Sequence, residues 1–198
     1  TYMASKVAAG PFMVIEVEMK FAVRDEVEIR QRLQQWEVEL GPSERQVDSY
    51  FSHPARDFSN TDEALRIRQT ESRVEVTYKG PRLDERTKTR KEIEVALADR
   101  ETAAPQFAQI LEALGFCVAG EVTKSRRLGR LQVRNRAVTV ALDQVDGLGR
   151  FLELESIVCP ADVAEARATL EYLACELDLG VTERRSYLEL LELHSPPL

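Results

Sequence analysis

Glu16, Glu18 and Lys20 stand at every second position of "VIEVEMKF", residues 14–21, with Ile15, Val17, Met19 and Phe21 around them. The pattern returns along the chain. Arg66 and Arg68 flank Ile67, Glu75 and Lys79 belong to "RVEVTYKG", and Arg90, Glu92 and Glu94 alternate through "TRKEIEV". Lys124 and Arg126 follow in "TKSRR", Asp143 ends "VTVALD", and Glu153 and Glu155 alternate with Leu152 and Leu154. Carboxylates are hard oxygen ligands that suit Mg²⁺ or Mn²⁺. Clustered Lys and Arg suit an anion of high charge density. Brought together, the two sets would hold a metal-bound triphosphate.

The elements decide whether they come together. Period-two alternation predicts strands at 14–21, 45–51, 64–70, 73–80, 88–97, 121–133, 137–145 and 149–158. Helices are expected over 24–40, 102–116, 162–180 and 186–193. Asp25 with Glu28 resembles a capping box, and Gly41-Pro42, Gly115 and Gly180 supply stops. The expected apolar stripes are Val27, Ile29, Leu33 and Trp36, then Phe107, Ile110, Leu111 and Leu114, then Val163, Ala166, Leu170, Leu173 and Leu177. "HPARDFSNTDE" at 53–63 and "PRLDERT" at 81–87 read as polar loops. Strands that follow one another predict an α+β fold with antiparallel pairing.

Alternate residues of a strand share a face. The charges therefore lie on one face of nearly every strand, which leaves two readings. In one, the charged faces meet solvent and the apolar faces form the core. In the other, about eight strands close into a barrel, the charges line its tunnel, and helices cover its apolar outside.

Composition sets the outer bounds. A chain of 198 residues, 43% hydrophobic, can bury one sizeable core. Residues 13–194 are expected as one domain, with 1–12 irregular. A net charge of −7 disfavours non-specific nucleic-acid binding, so any basic site must be local. No apolar run approaches a membrane span and no signal-peptide pattern opens the sequence, which points to a cytoplasmic protein without a membrane partner. Cys117, Cys159 and Cys175 are scattered and sit among apolar residues, so buried reduced thiols are expected. His53 and His194 have no partners at triad or metal-site spacing.

The ordered series resembles the CYTH, or triphosphate tunnel metalloenzyme, superfamily. Its ExExK signature is "EVEMK" at 16–20. "DSYF" at 48–51, "DEALRIR" at 62–68, "YKGP" at 78–81, "TRKEIE" at 89–94, "TKSRR" at 123–127, "LDQVDGLGRFLELE" at 142–155 and "RSYLELL" at 185–191 follow in order. The resemblance implies an eight-stranded antiparallel closed barrel with helices outside and a triphosphate inside. It assigns Glu16, Glu18, Glu153 and either Asp143 or Glu155 to Mg²⁺ or Mn²⁺. It assigns Lys20, Arg66, Arg68, Lys79, Arg90, Lys124 and Arg126 to the phosphates, with Glu92 and Glu94 as further acidic tunnel positions.

Within the superfamily the chain looks most like the class IV adenylyl cyclases. These convert ATP to cyclic AMP and pyrophosphate, and dimers are common among them, so a homodimer is an expected assembly. Lys79 and Arg126 are then the expected catalytic pair. In one respect the chain departs from the pattern. Bacterial members carry His-Phe shortly before ExExK, where this chain has Gly10, Pro11 and Phe12. Hydrolysis of tripolyphosphate or thiamine triphosphate on the same lining is the alternative reading.

Overall fold

The computed structural model describes residues 15–81, 88–98 and 102–194. Residues 1–12, with Gly10, Pro11 and Phe12, lie outside that set, as do Val14 and positions 82–87 of the expected charged loop. The order is β1 (Ile15–Val23), α1 (Glu26–Gln35), β2 (Glu44–Ser52), α2 (Phe58–Thr61), β3 (Ala64–Thr70), β4 (Val74–Lys79), β5 (Lys88–Leu97) and α3 (Ala103–Ala113). Then follow β6 (Cys117–Val133), β7 (Arg136–Val145), β8 (Gly149–Val158), α4 (Val163–Glu176) and α5 (Tyr187–His194).

The eight strands close into a barrel in the order β1-β5-β4-β3-β2-β6-β7-β8. Every neighbouring pair is antiparallel. Closure removes the sheet edges and settles the choice between the two readings. Lys20 is 1% exposed and Glu18 7%, so the charged face of β1 is the inside. The outward residues Ile15, Val17, Met19 and Phe21 join Leu152, Leu154, Leu170, Leu173 and Leu177 in the main core beneath α4. Removing that much apolar surface from water holds α4 to the barrel.

Local signals explain the helix ends. Asp25 caps α1, its carboxylate accepting from the Val27 and Glu28 amides. That satisfies two of the free N–H groups at the helix start. Asp57 does the same for α2, accepting from Ser59 and Asn60. This short helix interrupts the polar loop expected at 53–63, because Phe58 turns into the protein.

Several expectations about packing need correction. Val27 is exposed on α1, and Ile110 and Leu114 are exposed on α3. Those helices bury narrower stripes, Ile29 with Leu33 and Ala104 with Leu111. The helical cover is also incomplete, since Ile93 and Val95 on the outer face of β5 are exposed. All three cysteines are exposed as well. Apolar neighbours in sequence do not predict burial: Val158 and Ala174 are buried beside Cys159 and Cys175, but Val118 beside Cys117 is itself exposed. None of the described helices is long and apolar enough to cross a membrane.

Candidate functional site

A cavity of about 1720 Å³ runs through the barrel. The strands deliver to it Glu16, Glu18, Lys20, Arg66, Arg68, Lys79, Arg90, Glu92, Glu94, Lys124, Arg126, Glu153 and Glu155. Of the expected site residues, Asp143 alone is not on the cavity wall. It is fully buried behind Arg126, whose guanidinium forks onto both its oxygens at 2.7 and 2.6 Å.

Three ionic clusters organise the interior. In the first, Asp48 on β2 is 0% exposed. It takes two hydrogen bonds from Arg68 at 2.6 and 2.7 Å and one from Lys124 at 3.0 Å, with Arg66 Nη1 at 3.6 Å. Burial alone would raise the Asp48 carboxyl, but Arg66, Lys124 and Arg68 outweigh it and hold it well below the usual range. Burial acts the other way on Lys124. Aided by Arg68 and only partly opposed by Asp48, it pushes the ammonium from 10.5 down to about 8.

In the second cluster, Arg126 reaches Glu153 and lies 3.6 Å from Glu155, besides its fork onto Asp143. Glu18, Glu153 and Glu155 each offer an oxygen, all within 4.8 Å of one another. Burial, then the neighbouring carboxylates Glu16 and Glu153, push Glu155 up to about 8 against the pull of Arg126. In the third cluster, Lys79 lies 3.3 Å from Glu16 and contacts Glu92. Burial would lower the Lys79 ammonium, but Glu16 and Glu92 raise it above its ordinary value. Glu16 is itself raised, chiefly by burial.

The structure thus splits the five expected metal carboxylates. Glu18, Glu153 and Glu155 converge, Glu16 turns to Lys79, and Asp143 fixes Arg126. Three hard oxygens at that spacing fit a divalent cation. Placing a double positive charge there would also relieve the carboxylate crowding seen at Glu155. Among the phosphate candidates, Arg66 keeps a buried Nε with no hydrogen-bond partner among the described residues. Arg90 leans out to the Asp62 carbonyl at 2.9 Å, tying β5 to the end of α2. Glu94 lines the cavity from an exposed position.

Two site residues escape the charge pattern. Asp48 is the lone inward charge of "RQVDSYF". Tyr187 comes from α5 and not from a strand. Its hydroxyl donates to Asp143 at 2.9 Å, and its ring lies 4.1 Å from Lys20 Nζ and 5.3 Å from Lys124 Nζ. The motif "RSYLELL" is the only sequence signal for it.

Comparison with known proteins places this geometry. A Methanocaldococcus jannaschii protein named "Putative adenylate cyclase MJ0240" is 36% identical over 182 residues, covering 89% of this chain and 98% of that protein. The structure of the PH1819 protein from Pyrococcus horikoshii OT3 has a TM-score of 0.79 and 40% identity, covering 91% of this chain and 99% of that one. At 14% identity and a TM-score of 0.63, the Hippeastrum protein HpAC1 shares the fold, over 93% of this chain and 98% of its own. HpAC1 is described as having a dominant triphosphatase activity. The CYTH domain matches residues 14–187, the span that carries every expected charged site residue. By that match and by its barrel, this chain belongs to the CYTH domain family.

Proposed function

We propose that this protein is a divalent-metal-dependent adenylyl cyclase that converts ATP to cyclic AMP and pyrophosphate inside the tunnel. The observation that carries the reading is the presence in one cavity of both a carboxylate trio and a set of fixed cations. A trio of carboxylates, Glu18, Glu153 and Glu155, faces cations anchored by Asp48 and Asp143. A bound Mg²⁺ or Mn²⁺ would neutralise phosphate oxygens and the leaving pyrophosphate.

The chain's own residues do the rest. Arg66, Arg68, Lys124 and Arg126 grip the phosphates, and the cation–carboxylate forks keep them in place before substrate arrives. This is electrostatic preorganisation, with no reorganisation needed at the moment of reaction. The ribose 3′-oxygen attacks the α-phosphorus, the bond to the β-phosphate oxygen breaks, and pyrophosphate and one proton are released. Lys79, held charged by Glu16 and Glu92, suits stabilising charge at the α-phosphate and not accepting a proton. The name of the Methanocaldococcus relative supports the cyclase reading.

Hydrolysis of a triphosphate is the second reading, supported by the activity stated for the Hippeastrum protein. The same lining would serve water as nucleophile. Incubating the protein with ATP, tripolyphosphate or thiamine triphosphate, each with Mg²⁺ or Mn²⁺, separates the two. Cyclic AMP with pyrophosphate from ATP is the expected result, abolished by chelation and lost in Lys79→Ala. Orthophosphate without cyclic AMP would establish the second reading instead, and no turnover of any substrate would sink both.

A further inference from the structure

Most tunnel cations are held by carboxylates, an arrangement that positions them and also competes with an anionic ligand. Tyr187 does something different. It enters from α5, outside the strand pattern, and is 5% exposed. Lys20 and Lys124, which come from strands β1 and β6, both stand over its ring, at 4.1 and 5.3 Å from the centroid. Phe151 packs against that ring with centroids 5.0 Å apart and fixes its plane. Val122, Val145 and Leu190 complete the apolar bed. Lys20 Nζ also donates to the Arg185 carbonyl, two residues before Tyr187 in the same segment.

We infer that Tyr187 is a positioning residue of the triphosphate site: its aromatic face sets the ammonium groups of Lys20 and Lys124, and its hydroxyl sets Asp143 and through it Arg126. A ring attracts a cation through its quadrupole and carries no net charge. It can therefore help fix the two ammoniums without adding a negative charge of its own to the one that Asp48 already sets against Lys124. Burial raises the Tyr187 phenol well above its usual value, as do Glu153 and Asp143, so the hydroxyl remains a donor to Asp143. Preorganised cations bind more tightly because less freedom is lost on binding. α5 is then part of the binding machinery as well as a cover for the barrel.

The inference rests on the triphosphate reading of the tunnel, and inorganic tripolyphosphate without metal is the probe. Its affinity is measured by calorimetry for the full chain, for Tyr187→Phe, and for the same position carrying pentafluorophenylalanine. The last two share a shape and lack the hydroxyl, but fluorination removes the negative face of the ring. Tyr187→Phe is expected to bind about threefold more weakly than wild type, through the lost bond to Asp143. The fluorinated form is expected to bind about 10-fold more weakly again. The ring-current shifts of the Lys20 and Lys124 side-chain signals should persist in Tyr187→Phe and change in the fluorinated form. Equal affinities for the two shape-matched forms, with both folded, would overturn the inference while leaving the triphosphate reading intact. Failure of the wild-type protein to bind tripolyphosphate would overturn that reading and the inference with it.

Discussion

Asp48 shows how much one carboxylate can organise. It anchors Arg68, Lys124 and Arg66 at once, so its loss leaves buried like charges facing one another. Asp48→Asn keeps the shape and removes the charge, and should cost about 3–5 kcal/mol of stability. Because a triphosphate can replace the missing anion, the ligand should raise the melting temperature of Asp48→Asn by more than it raises that of wild type. Equal shifts in a thermal melt would refute that. Lys124 adds a pH dependence. Its pKa lies near 8 and not 10.5, so between those values the unfolded chain binds the extra proton. Its contribution to stability therefore rises with pH across that window. An arriving triphosphate favours the charged form, so binding above about pH 8 should take up a proton, and binding well below it should not take one up at this residue. Calorimetry in buffers of different ionisation enthalpy measures the uptake, and Lys124→Arg, charged throughout, should reduce it, the remainder coming from groups such as Glu155 that change protonation in the same range. Parity in the sequence finds Lys124, because a second cation sits two residues on. It passes over Asp48, which has no charged neighbour at that spacing, and Tyr187, which reaches the tunnel from a helix.

The strands are legible because charge and apolarity alternate so strictly in "VIEVEMKF" and "RFLELESIV", and a one-residue slip would reverse both faces. The helices are less so. α1 and α3 carry more apolar residues than they bury, since each lies on the barrel along a stripe only about one residue wide per turn. Val27, Ile110 and Leu114 sit on the shoulders of those stripes and stay exposed. α2 cannot be read from polarity, because its one buried side chain, Phe58, is framed by Asp57 and Ser59. α4 is readable, because Ala166, Leu170, Leu173 and Leu177 are all 0% exposed and follow helical spacing. This helix rests on the outer faces of β1 and β8, whose inner faces carry Glu18, Glu153 and Glu155. Leu173→Ala should cost about 2–5 kcal/mol by opening a cavity there. Well below its melting temperature, the variant should still bind tripolyphosphate as wild type does, because the charged face is not touched. A large loss of affinity in a folded Leu173→Ala sample would show that the outer packing tunes the inner face.

At the scale of the whole molecule, β1 is the strand that joins β5 to β8 and so completes the barrel; its junction with β5 is a seam between the N-terminal strand and the rest of the sheet. Among the described residues, which begin at Ile15 and resume at Lys88, β1 pairs with β8 through nine positions, Ile15 to Val23, and with β5 through four, Ile15 to Glu18 against Lys91 to Lys88. The other ladders carry between six and ten positions. The seam divides the charges. Arg90 and Glu92 stand on β5, and Glu16, Glu18 and Lys20 on β1, so a ligand held from both sides would tie the two strands together. Tripolyphosphate should therefore slow exchange at the β1–β5 ladder more than at β6–β7, where the ten paired positions from Lys124 to Val133 already resist opening. Hydrogen exchange followed by mass spectrometry on peptides spanning 15–23, 88–97 and 124–133 measures this. Uniform protection across all three would mean that the ligand stabilises the fold as a whole. Protection confined to the β6–β7 peptides would mean that it binds without bridging the seam, and that closure of the barrel is independent of what the tunnel holds.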